Sequence, residues 1–155
     1  MSTPGKLEKF LALSSNDRRL LISALILLTA IRLGLVIFPF DKMRYFLSKL
    51  IPGHLVTSVT EEFQSQQIIQ RVVWAINASG RHLPISMNCF PRALATHVLL
   101  QRRGIPSEIK IGVARNEDGV FEAHAWVEYR GQVVIGRLED LGRFTTLSHL
   151  NEKLA

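Results

Sequence analysis

The chain has 155 residues, of which 47% are hydrophobic and 21% charged, and it carries a formal net charge of +6. That length suits one domain with a real core and is short for two, and the apolar fraction excludes a disordered chain. The basic residues stand singly or in pairs such as Arg18-Arg19 and Arg102-Arg103, without a basic stripe and interleaved aromatics; this argues against nucleic acid and for an acidic peptide or partner protein.

Cys89 is the only cysteine, so no internal disulfide can form, and the first residues lack the pattern of a secretory signal. A reducing cytoplasm is the expected compartment. Ser15 or Asn16, followed by Asp17, offers an N-cap and a negative charge for a helix opening near residue 16. The run over residues 20–38 has Arg32 as its only charge and borders on the roughly 20 residues a bilayer span needs. Arg32 would cost about 2.5 to 3.5 kcal/mol inside a span. A helix buried in its own core or against a partner is therefore expected, rather than a membrane anchor.

Pro39 should end that helix, and a second is expected from Asp41 to Leu50, closed by Pro52-Gly53. A third opens at Thr60-Glu61-Glu62, turns Ile68, Ile69, Val72, Val73 and Ile76 inward, and stops near Gly80. His54 and His82 read as isolated loop residues, not metal ligands.

A fourth helix begins at Asn88 or Cys89. Pro91 fits only a first turn, where its missing N–H costs nothing, apolar residues continue at helical spacing, and Gly104 ends the helix. A cysteine at a helix N-terminus meets free backbone N–H groups that favour the thiolate, the reactive form. By itself a lone cysteine is more often a small buried hydrophobe. An antiparallel meander should follow, with strands over residues 107–114, 120–129 and 132–135 joined by turns at Asn116-Glu117-Asp118-Gly119 and Arg130-Gly131. Period two in the second strand puts Phe121, Ala123, Ala125, Val127 and Tyr129 on the core face and Glu122, His124, Trp126 and Glu128 on the other. The closing segment from Phe144 onward shows no chemistry.

A cysteine at a helix start and a histidine on a following strand are the parts of a papain-like thiol enzyme. Through Cys89, Arg92-Ala93-Leu94, Gly104, Ile111-Gly112-Val113 and the block Ala123-His124-Ala125-Trp126-Val127-Glu128, residues 85–145 resemble the B2 proteins of lasso-peptide biosynthesis. These are leader peptidases of the transglutaminase-like cysteine protease superfamily, and the apolar helical region of residues 15–50 also looks like the N-terminal part of that family. The resemblance implies an α+β fold over a single domain, 1–155, with a helical N-terminal region (1–55) before a transglutaminase-like core (56–155). It implies that Cys89 attacks the amide joining leader to core in a lasso precursor peptide while His124 moves the proton. It also implies a separate leader-binding protein (B1) and an asparagine-synthetase-like macrolactam cyclase as partners. No cofactor is expected, and no phosphate-cradling glycine loop is present.

The superfamily's third residue is an acid about a dozen residues after the histidine, and here that position is Gly136. A two-residue turn at Arg130-Gly131 would put Arg137 opposite His124, and a three-residue loop would put Gly136 there. Asp140 is the expected replacement, just before Leu141-Gly142, with Glu139, Glu128 or a backbone carbonyl as alternatives. The backbone N–H of Cys89, with Asn88 or Ser86, would form an oxyanion hole. Two rivals remain: another thiol acyl-transfer enzyme, an amidase or transglutaminase on the same scaffold, and a non-catalytic helical adaptor that docks through residues 20–38.

Overall fold

A computed structural model describes residues 6–37, 62–81 and 89–147. The helix expected at 41–50, its boundaries at Pro39 and Pro52-Gly53, the start at Thr60-Glu61, His54, His82, Ser86, Asn88 and the tail from residue 148 lie outside the described residues. Among those described, the elements run α1 (Lys6–Leu11), α2 (Ser15–Ile37), α3 (Glu62–Gly80), α4 (Cys89–Gln101), β1 (Glu108–Arg115), β2 (Phe121–Tyr129), β3 (Gln132–Ile135), a 3₁₀ turn (Leu141–Arg143) and β4 (Thr145–Thr146). The architecture is α+β, with helices packed on one face of a four-stranded antiparallel sheet ordered β3-β2-β1-β4.

The cap of α2 lies one residue earlier than the sequence suggested. Ser14 Oγ accepts from the Asp17 N–H at 3.1 Å and donates to the Asp17 carboxylate at 2.7 Å, which satisfies one free N–H of the first turn. Asp17 also takes a two-pronged bond from Arg71 of α3, so the start of α2 is tied to its neighbour. Leu20, Ala24, Leu27, Leu28 and Ile31 form one buried stripe of α2, in a single core with Val72 and Ile76 of α3, Leu94, Val98 and Leu99 of α4, and Ala125, Val127 and Tyr129 of β2. The composition of α2 led to the expectation of a helix buried on most sides, and within this chain it is buried along one stripe only. Its other face leaves Ile26 63% and Val36 80% exposed.

Helix α4 ends as its glycine predicted. Gly104 adopts φ 73°, its N–H bonds Gln101 O, and the Ile105 N–H bonds Leu100 O at 3.0 Å, a Schellman closure. Ile105 is then buried, and the chain enters β1 against β2 in unbroken register from Glu108–Glu128 to Arg115–Phe121. Two corrections apply to the sheet. Phe121 and Ala123 are exposed despite sharing a strand face with the core residues, because the helical layer covers only the later part of β2. Thr145–Thr146, expected as part of a featureless closing segment, pairs with Gly112 and Val113 of β1 as the fourth strand.

Candidate active site

Cys89 is the first residue of α4, and Pro91 sits fully buried in the same first turn, where a proline needs no donor partner. Cys89 is half-buried and a free thiol. It borders a cleft of roughly 190 Å³ together with Arg92 and Ala93 of α4, His124 and Ala125 of β2, and Ile135, Gly136, Arg137 and Leu138 at and beyond the end of β3. The helix start and the middle of the meander therefore bring the expected thiol and imidazole to the walls of one space.

The other side of His124 is fixed by the β2–β3 connection. Arg130 and Gly131 have φ 49° and 75°, the paired positive angles of a type I′ turn, so the hairpin is the tight two-residue form. The pairing Glu128–Val133 is then followed by Val127–Ile135, a bulge that sets one extra residue into β3 and shifts the register. Neither simple register anticipated from the turn is kept. Beyond Ile135 the chain leaves the sheet through Gly136 at φ 84°, and the Gly136 carbonyl lies 2.7 Å from His124 Nε2.

That bond assigns the tautomer. A carbonyl oxygen only accepts, so Nε2 carries the hydrogen and Nδ1 is the free basic nitrogen of the neutral ring. The orienting group comes from the position a dozen residues after the histidine, where the resemblance led to the expectation of an acid, but from its backbone. No side chain fits there. A Cβ on Gly136 would stand 2.8 Å from the Ala125 carbonyl oxygen and 2.9 Å from Trp126 Cβ, in a backbone conformation that L-residues rarely adopt.

Asp140, the acid expected behind His124, is not its hydrogen-bond partner. Its carboxylate takes the Arg143 guanidinium at 2.5 Å on the surface, and Arg143 also binds Glu122. Glu128 accepts from Trp126 Nε1 at 2.7 Å, and Glu139 is exposed. None of the three carboxylates is the partner of His124 Nε2.

Two aromatics hold the imidazole from the side. Trp126, two residues along the same strand face, lies nearly parallel to it, with centroids 6.1 Å apart and planes 16° apart; Phe144 tilts against it at 5.6 Å. Trp126 and Phe144 are both buried and form a small second core with Ala114. Gly112, opposite His124 in β1, makes the space, since a Cβ there would come within 2.9 Å of Phe144 Cβ and 3.0 Å of the Trp126 ring. Sequence reasoning missed Phe144, Gly112 and the two cleft arginines. The Gly112 within an otherwise alternating strand was the available signal, because a glycine there marks a close approach.

Among the described residues no cluster of three or more His, Cys, Asp or Glu side chains could hold a metal. A half-buried thiol at a helix start and an oriented imidazole on one cleft are suited to nucleophilic acyl chemistry. Comparison with known proteins agrees with this class. Residues 35–149 match the transglutaminase-like superfamily, and the chain belongs to it. Members of this superfamily are typically cysteine enzymes and include cysteine peptidases. No curated protein and no solved structure matches the chain significantly.

Proposed function

We propose that this protein is a cysteine peptidase that removes the leader from a ribosomally made lasso precursor peptide, acting with a leader-binding protein and a macrolactam cyclase. The observation that carries the chemistry is the shared cleft of Cys89 and His124, with Nε2 committed to Gly136 O and Nδ1 left to accept a proton. The substrate class rests on the resemblance of residues 85–145 to lasso leader peptidases.

In this reading His124 Nδ1 takes the thiol proton as Cys89 Sγ attacks the carbonyl carbon of the leader–core amide. The backbone N–H of Cys89 faces the developing oxyanion at the helix start. Collapse of the tetrahedral intermediate breaks the C–N bond, and the proton on Nδ1 passes to the leaving amine of the core. Water, deprotonated by the same nitrogen, then hydrolyses the thioester, returning the thiol and the C-terminal carboxylate of the leader. Gly136 O keeps the ring in one tautomer and orientation throughout.

The test is incubation of wild type and Cys89→Ala with precursor and leader-binding protein, read by mass spectrometry. Two peptides from wild type and none from the variant are expected. Cleavage that survives the substitution would sink the mechanism, and one covalently modified product in place of two peptides would make the protein an acyl transferase instead.

A further inference from the structure

The cleft beside Cys89 has a one-sided charge. Among the described residues its lining holds two guanidinium groups, Arg92 and Arg137, and no carboxylate. Arg92 lies three residues after Cys89, which puts it one helical turn along the same side of α4. Its Nη2 donates to Asn77 Oδ1 of α3, a neutral acceptor that steers the guanidinium without cancelling its charge, and its backbone carbonyl takes the Thr96 hydroxyl at 2.8 Å. Arg137 directly follows the residue whose carbonyl holds His124. None of the ion pairs among the described residues uses either arginine, whereas Arg71, Arg130 and Arg143 all have carboxylate partners.

An arginine fixed by a neutral side chain at the wall of a partly enclosed cleft is arranged for a planar anion, because its fork matches a carboxylate and, among the described residues, no carboxylate takes its donors. A substrate lysine or arginine would meet like charge on two walls. Resting on the reading of Cys89 as nucleophile, we infer that the cleft selects a peptide bearing an aspartate or glutamate side chain close to the scissile amide, with Arg92 as the specificity-determining residue and Arg137 reinforcing it.

Two small thiol reagents that differ in charge test this without knowledge of the substrate sequence. The second-order rates at which iodoacetate and iodoacetamide alkylate Cys89 are measured on the full chain, for wild type, Arg92→Gln, Arg92→Lys, Arg137→Gln and His124→Ala. Anything that alters the nucleophile itself moves both reagents together and cancels in the iodoacetate-to-iodoacetamide ratio. Arg92→Gln should lower the ratio roughly five- to tenfold, the size a partly screened single charge produces. Arg137→Gln, on an exposed segment where misfolding is not a concern, should lower it about twofold, and Arg92→Lys should retain most of it. Raising the salt to about 1 M should compress these differences. A fast iodoacetamide reaction with a ratio unmoved by Arg92→Gln and Arg137→Gln would overturn the carboxylate preference alone. A thiol that reacts slowly with both reagents and is indifferent to His124→Ala would instead overturn the nucleophile reading on which it rests.

Discussion

At the scale of single residues, Gly136 decides how the imidazole is held. Asp140 and Arg143 form an exposed pair, which solvent and salt screen, and its carboxylate is not the partner of His124. Asp140→Asn should therefore leave peptide cleavage within a factor of about three of wild type, measured as kcat/KM. A triad acid removed in the same way costs on the order of 10⁴, so a loss of that size would return Asp140 to the site. Gly136→Ala is the opposite case. Its Cβ meets backbone at 2.8 Å and its φ of 84° is unfavourable for alanine, a strain of about 1 to 3 kcal/mol. It should both lower the denaturation midpoint and cut kcat/KM by about tenfold or more, because the acceptor of His124 Nε2 must move. Gly136→Asp should fail likewise, although it restores the acid to its usual sequence position.

At the scale of elements, α4 joins the site to a titratable contact at its other end. His97, two turns after Cys89, has Nδ1 3.0 Å from the hydroxyl of the buried Ser107, where the chain enters β1. Burial pushes its pKa below the usual histidine value. The unfolded chain therefore takes up this proton first as pH falls, and binds more protons than the folded one below about 6.5. Stability present at neutral pH should decline from there toward the lower folded pKa. Thermal denaturation at pH 7.5 and pH 5.5 should show the drop in wild type and a smaller one in His97→Gln. Equal slopes in the two proteins would remove His97 as the cause. The hairpin carries the other lesson at this scale. A turn at Arg130-Gly131 was legible, but its type I′ form and the bulge opposite Val127 and Glu128 were not, because the first rests on the backbone angles of Arg130 and Gly131 and the second arises where β3 leaves the sheet and no turn residue announces it.

At the scale of the whole molecule, α2 is 23 residues long, about 35 Å, and apolar enough to cross a bilayer by length and composition. It gives one stripe to the common core and leaves the opposite stripe exposed. Leu28 is completely buried, so Leu28→Ala should cost about 2 to 5 kcal/mol in chemical denaturation. Ile26→Lys, on the exposed side, should stay within about 0.5 kcal/mol. A large loss from the second substitution would show that this face too is covered. Much of the plan was legible along the chain. Pro91 and Gly104 bracketed α4, alternation marked the strands, and the lone cysteine at a helix start with a histidine downstream named the candidate pair, because these signals are local and follow from backbone sterics and side-chain period. What only the tertiary structure decided is what surrounds that pair: the carbonyl behind His124, the aromatics at its flanks, Trp126 from β2 and Phe144 from just before β4, and the two arginines on the cleft. Those contacts join residues that are far apart in the chain, or that hang on one extra residue in a strand, and neither composition nor spacing records which backbone oxygen a bulge will turn toward an imidazole.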